Sequence, residues 1–455
     1  MGWKPEQDNG VRRPARRNSK HTTVRPLCKA AWTRCCTRDT LRRGDALPLT
    51  GSVSNVRSWW TLLGPGVVTL TVDLDAIEHN TRVLTGLLPS VDIIGVTKMT
   101  CGEGQVGMAM LRGGATALGD SRHANVSNLR RAGIRAPLWL LRSAEPDLAL
   151  ETVRVADASL NSELETILAL DVAASRMGAV HRVVLMVDVG DLREGVQSEE
   201  LFPLLRVVRS LRHIHVEGVG TNLTCYGCVV PDEVNLGELV ELARGAEEIV
   251  GHSLIVSGGN SSSIPLALSG GMPAGIHNLR VGESILLGMN TLIRQPLHHD
   301  LRLDAFTVRA SVVECRVKPS MPKGVLSVQD AFGNPPSFED RGLRRRAICA
   351  VGRQDARPEG LRPVDARVEV LGASSDHLIL DVEALHPPPK LGDAITFVPD
   401  YGATLQLFTS PYVYKVFTPP GLTAGIAVAG ACHQDGLAEG AKNPGCNRAC
   451  QADDG

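Results

Sequence analysis

Through the middle of the chain, apolar residues fall in short runs that end in polar side chains and are followed by stretches with helical spacing. The runs are Ile93–Lys98, Ala117–Arg122, Leu138–Ser143, Ala156–Ser162, Val183–Asp188, Val216–Asn222, Leu254–Asn260 and Leu279–Glu283. Between them, segments such as Glu163–Leu170 and Leu236–Val250 place apolar residues three and four apart, which is the signature of an amphipathic helix. Eight near-continuous apolar strands spaced by roughly 20 to 35 residues have the count and pitch of a (β/α)8 TIM barrel. Strands of this kind suit a parallel sheet buried on both faces. A doubly wound sheet has the same alternation, but a polar, chemically competent residue at nearly every strand end favours closure.

From about Asp304 the pattern changes. Phe306–Val317, Arg346–Val351, Arg367–Leu371, His377–Val382 and Ala394–Val398 read as strands separated by Gly/Pro turns, without helical spacers. The predicted architecture is a barrel over 67–300 followed by a C-terminal all-β domain over 301–417. Outside these, 1–66 is rich in Arg and lacks apolar periodicity, and 418–455 opens on Thr418-Pro419-Pro420-Gly421 and continues rich in Gly and Ala. Both ends are expected to be disordered; an N-terminal transit peptide is the alternative for the first.

Composition narrows the class. The chain has 455 residues, enough for two or three domains, with 43% hydrophobic and 21% charged residues. A formal net charge of −1 provides no field for nucleic acid or an acidic membrane surface, and no apolar run reaches the length of a membrane span. Eleven scattered cysteines, an odd number, do not suit a disulfide framework, so reduced thiols and a cytoplasmic location are expected. Cys225 and Cys228 have CxxC spacing, but no second pair lies nearby to complete a zinc site, and no metal is expected.

Three strand-end groups carry candidate chemistry. Lys98 closes the first apolar run; a lysine at a barrel mouth is partly desolvated and its amine can attack an aldehyde to form a Schiff base. The loop Ser257-Gly258-Gly259-Asn260-Ser261-Ser262-Ser263 follows the seventh run, where barrels of this type usually bind phosphate through backbone N–H groups and hydroxyls. It lacks the Gly-Lys-Ser/Thr of a P-loop. Arg280 lies within the eighth run; a guanidinium beside a pyridine nitrogen donates a hydrogen bond but does not give up its proton. Together the three point to a cofactor that is both an aldehyde and a phosphate ester.

Several motifs in order resemble the alanine racemase superfamily, and more narrowly the ornithine racemase group of amino-acid racemases. They are Val72–Asn80, Val96-Thr97-Lys98, Gly119–Arg122, Ser159–Glu163, Leu185–Gly195, Thr221–Gly227 and Ser257–Ser262. The resemblance runs from about Val68 to Lys415 and takes in the β domain through Lys318–Ser320, Gln329–Gly333, Gly352–Asp355 and Ser374–His377. It implies pyridoxal 5'-phosphate (PLP) bound by Lys98, with Arg280 at the ring nitrogen and Asn260, Ser261 and the Gly282 backbone at the phosphate. It also implies Arg193 at the phenolic oxygen, Asn222 against the ring, Ser257 in the cofactor loop and Tyr412 as a further phosphate contact. Ser375 and Asp376 resemble the segment that meets the substrate carboxylate from a neighbouring subunit, which implies a homodimer.

The expected function is a PLP-dependent racemase acting on a small amino acid, ornithine or a related basic one, with Lys98 exchanging the Cα proton on one face. The tyrosine that alanine racemase uses on the other face has no match here; Asp330, His377 and Tyr226 are the candidates. Asp120 and Asp330 are the carboxylates considered for the substrate's cationic side chain. The rival readings are a decarboxylase or aldolase of the same fold, a PLP carrier without turnover and an inactive homologue. Arg280 argues against the decarboxylase, and the β domain argues against the carrier.

Overall fold

The computed structural model describes residues 68–418, so the regions assigned to 1–66 and 418–455 lie outside the described residues, except Thr418, which ends a strand. Strand β1 (Val68–Asp73) leads directly into a helix, Leu74–Leu87. The Asp73 carboxylate caps that helix by accepting from the Ala76 N–H at 3.0 Å, and it pairs with Arg302 at 3.0 Å. An acceptor at this position satisfies one of the N–H groups that a helix start leaves open.

Eight parallel strands then close into a barrel: β2 (Asp92–Val96), β3 (Ala117–Asp120), β4 (Leu138–Leu140), β5 (Ala158–Asn161), β6 (His181–Met186), β7 (Ile214–Gly220), β8 (Ile255–Asn260) and β9 (Asn278–Val281). Each falls within or overlaps one predicted run. Closure comes from β9 pairing back onto β2, with Asp92 opposite Asn278 and Gly95 opposite Val281. A separate apolar cluster of Ile94, Ala117, Trp139, Ala158, Leu160, Val184 and Met186 fills the barrel interior, while the outward residues join the helices in the main core. Alternate residues of one strand thus serve two cores, which is why the runs read as continuously apolar.

After a short ribbon, β10 (Met289–Asn290) with β11 (Gln295–Pro296), the chain enters the second domain. Its strands are β12 (Phe306–Pro319), β13 (Leu343–Cys349), β14 (Leu361–Pro363), β15 (Glu369–Ala373), β16 (Leu378–Asp381), β17 (Ala394–Pro399) and β18 (Val413–Thr418). The first half of β12 pairs with β1 on one edge and β17 on the other; past an irregularity at Val312/Glu314 the strand pairs with β13. β13, β16 and β15 continue the order.

Two features differ from the sequence expectation. β1 belongs by pairing to this sheet, antiparallel to β12 and parallel to β18, although it lies in the stretch assigned to the barrel. The domain also holds a helix, Tyr401–Thr409, capped by the Asp400 carboxylate accepting from the Ala403 N–H at 2.9 Å. This helix packs on the turn Lys98–Thr100 at the barrel mouth and so links the two domains beside the site.

Candidate active site

The C-terminal ends of the barrel strands surround a cavity of about 590 Å³. Lys98 opens it from the end of β2, exposed, in a single 3-10 turn whose neighbours Thr97, Met99 and Thr100 are buried. Opposite in sequence order, Arg280 comes from β9 and is only 3% exposed. Its two terminal nitrogens donate to the Thr221 carbonyl, to Asn222 Oδ1 at 2.8 Å, and to the Ser257 hydroxyl and carbonyl. Among the described residues these are all its hydrogen bonds, so the Nε–H is left for an acceptor in the cavity. Burial draws the guanidinium down to about 10, against the opposing pull of Glu194. It therefore stays charged at neutral pH.

The Gly/Ser loop after β8 builds an anion cradle. Ser261 Oγ accepts from the backbone N–H groups of Gly282 and Ser284, both at 3.3 Å, which keeps its own proton for another acceptor. Ser262 is buried and its hydroxyl has no partner among the described residues. Buried hydroxyls are normally satisfied, so an orphan beside a cavity marks a ligand position. Gly259 takes a φ of +102°, and a Cβ there would come within 2.7 Å of Ser263 Oγ, so the turn that aims the loop requires glycine. Asn260 accepts from the Ser262 N–H and donates to the Leu223 carbonyl, tying the loop to the segment after β7.

That segment and the one after β6 are joined by Asp191, which is 1% exposed. Its carboxylate accepts from the Cys225 and Tyr226 N–H groups at 3.0 and 3.1 Å. The two loops together present Arg193, Glu194 and Asn222 to the cavity. Arg193 pairs with Glu194 at 2.6 Å, and Glu194 also accepts from Asn222 Nδ2 at 2.6 Å.

A pyridine aldehyde carrying a phosphate fits these residues. The amine, the uncommitted Arg280 Nε–H and the hydroxyl and N–H cradle all line one cavity of the size usual for a small ligand. Ser257, by contrast, lies behind Arg280 with no exposure and donates to Asn278 Oδ1 at 2.6 Å, so it holds the arginine and does not line the cavity. Tyr412 is 70% exposed and lies outside the cavity; the tyrosine that lines it is Tyr401, which sequence reasoning missed. The available signal was the capping Asp400 just before an apolar helical stretch.

The remaining candidates lie elsewhere on this chain. Asp330 sits on an exposed loop, where its carboxylate accepts from the Phe332 and Asn334 N–H groups and is held below the usual carboxylate range, mainly by Asn334. Ser375, Asp376 and His377 form the exposed turn between β15 and β16, and Tyr226 is 72% exposed; none lines the cavity. Asp120 is fully buried beneath Thr97, accepting from its hydroxyl at 2.8 Å, with its carboxyl raised by burial. It is scaffold and cannot meet a substrate. The carboxylates missed here are Glu194 and Glu283, the latter directly following Gly282; both line the cavity.

Known proteins share this fold and part of this sequence. Residues 72–289 match the family described as alanine racemase, N-terminal domain. The ornithine racemase of Acetoanaerobium sticklandii is 41% identical over 350 residues, 76% of this chain and 98% of the relative. The lysine racemase of Thermotoga maritima is 36% identical over 353 residues, 77% of this chain and 98% of the relative. Among solved structures, the alanine racemase of Bartonella henselae with covalently bound pyridoxal phosphate covers 78% of this chain and 100% of its own, at a TM-score of 0.61 and 16% identity. That of Streptomyces lavendulae covers 78% and 98% at a TM-score of 0.62 and 19% identity. These structures share the fold, and the extended identity to the two full-length relatives places this chain in the alanine racemase family.

Proposed function

We propose that this protein is a PLP-dependent racemase of amino acids with a cationic side chain, such as ornithine or lysine. One observation carries it: Lys98, the Nε–H of the buried Arg280 and the Ser261/Gly282 cradle line a single cavity. When bound, PLP supplies an aldehyde carbon and an electron-accepting ring that acidify the Cα–H of an amino acid. Lys98 Nζ would hold the cofactor and then take or return the Cα proton on one face. Arg280 would donate to the ring nitrogen and, staying charged, would leave that nitrogen unprotonated, which restrains electron withdrawal and favours proton exchange over loss of CO2. Ser261, the Gly282 N–H and Asn260 would hold the phosphate, Arg193 the phenolic oxygen, and Asn222 would hold Arg280 in place.

The second acid/base is assigned to Asp330 or His377, with Ser375 and Asp376 meeting the substrate carboxylate. Because these lie outside their own chain's cavity, the assignment requires a homodimer in which each β domain completes its neighbour's site. Tyr412 would likewise reach a phosphate only across that interface. Free cysteines at positions 101, 225, 228, 315 and 349 support a cytoplasmic setting. Among the described residues, no helix is long and apolar enough to cross a membrane.

The test is borohydride reduction of the PLP-loaded protein, followed by peptide mass mapping, with Cα hydrogen–deuterium exchange measured on single L-amino acids. A pyridoxyl group on Lys98, together with exchange and inversion of a basic amino acid, is expected, and both should vanish in Lys98→Ala. Modification of a different lysine would refute the site, and a modified Lys98 without exchange would favour a carrier or an inactive homologue.

A further inference from the structure

We infer that Glu283 is the specificity-determining residue that receives the substrate's side-chain ammonium; this rests on the racemase reading above. Among the described residues, two carboxylates line the cavity, Glu194 and Glu283. Glu194 is already committed, since its oxygens meet Arg193 and Asn222 in the chain of bonds that ends on Arg280. A cation drawn to Glu194 would compete with those donors.

Glu283 is placed differently. Its side chain is 15% exposed and has one hydrogen-bonding partner among the described residues, Arg294 Nη1 at 2.5 Å. Arg294 is itself 68% exposed and sits on the ribbon turn in a left-handed conformation, with φ at +57°. An exposed, flexible partner of this kind is readily exchanged for water or a ligand, because surface pairs contribute little. Lys98 and Asp400 are close enough to act on Glu283 through charge. Burial, reinforced by Asp400, leaves its carboxyl raised despite Arg294 and Lys98, so the anion is under-compensated and an incoming ammonium would stabilise it.

Lys98 marks the reacting end, and Glu283 lines the same cavity, close enough to Lys98 to feel its charge and paired with Arg294 of the ribbon. A substrate without a terminal cation would leave Glu283 paired only with Arg294, with no gain on binding. Discrimination thus comes from one buried anion that a neutral side chain cannot satisfy.

The experiment compares kcat/KM of the holoenzyme for L-ornithine with that for L-norvaline, which has the same carbon chain without the amine. In wild type, ornithine is expected to be preferred. In Glu283→Gln the ornithine/norvaline ratio should fall about 10- to 100-fold, as for loss of a charge-assisted hydrogen bond. Arg294→Ala, which frees the carboxylate without touching the core, should raise the ratio. It reports even if the Glu283 variant does not fold. An unchanged ratio in Glu283→Gln, or a lowered one in Arg294→Ala, would overturn the inference while leaving the racemase reading intact. Wild-type turnover of norvaline with no preference for ornithine would overturn the inference together with the cationic-substrate class, leaving racemisation itself standing. Failure of wild type to turn over ornithine, lysine or norvaline would instead remove the racemase reading, and this inference with it.

Discussion

Asp191 allows a quantitative check on how the site is held together. Replacement by Ala removes the acceptor for the Cys225 and Tyr226 N–H groups, which it meets at 3.0 and 3.1 Å from a position 1% exposed. Hydrogen bonds to a charged group contribute roughly 1.5 to 3 kcal/mol each, so if both N–H groups stayed dry the loss would be about 3 to 6 kcal/mol. The loop after β7 can instead open to water, and the cost then appears as local disorder. Exchange of the Cys225 and Tyr226 amides, followed by hydrogen–deuterium exchange mass spectrometry, should accelerate by about 100-fold or more, the equivalent of the lower bound. Asp191→Asn keeps an oxygen that can accept both bonds now made to Oδ2. It should therefore accelerate exchange by less than about tenfold. Because this tie joins the loops that carry Arg193, Glu194 and Asn222, turnover should fall in Asp191→Ala more than in Asp191→Asn. Equal effects of the two variants, or unchanged amide exchange in Asp191→Ala, would refute the claim that one carboxylate pins both loops.

Two further outcomes are expected. His181, 2% exposed and bonded through Nε2 to the Ser159 hydroxyl at 2.8 Å, is pushed down to about 4 by burial. The unfolded chain takes up this proton near 6.5 and the folded one does not, so the stabilisation is fully present above the unfolded value and lost as pH falls toward 4. Urea unfolding should show about 2 kcal/mol of this loss between about pH 7 and about pH 5, and His181→Gln should abolish that part of the slope. Tyr401→Phe, at the cavity wall, should weaken PLP binding roughly fivefold to tenfold, as for one neutral hydrogen bond, in a fluorescence titration; unchanged affinity would place the hydroxyl off the ligand.

The barrel was legible because its local signals agree. Each strand is short and continuously apolar, ends on a polar group and is followed by a helix with its own period, so no long-range information was needed to place Lys98 or Arg280. Strand β1 was not legible as part of the second domain, because its partners lie far along the chain; the Thr418 hydroxyl bonds the Val72 carbonyl across 346 positions. Ser257 illustrates a finer limit. Composition put it in a phosphate loop, but its hydroxyl is taken up by Arg280 and Asn278, and only the packed barrel shows which way it faces. Glu283 directly follows Gly282 and Tyr401 starts the β-domain helix; what hid them was the approach of the ribbon and of that helix to the mouth, which no periodicity encodes.

The pairing of β1 with β18 also orders events during synthesis. Val68–Asp73 is translated before any barrel strand, yet one of its edges waits for β12 and the other for Val413–Thr418, paired from Val68 opposite Val413 to Asp73 opposite Thr418. The barrel has all its strands once Val281 has left the ribosome, and domains generally fold as units during translation. For the remainder of elongation β1 is an open edge on a finished neighbour. A transcript broken just short of Val413 would therefore yield a chain with every cofactor-facing barrel residue in place and one sticky strand exposed, a species for quality control to remove and not a shortened enzyme.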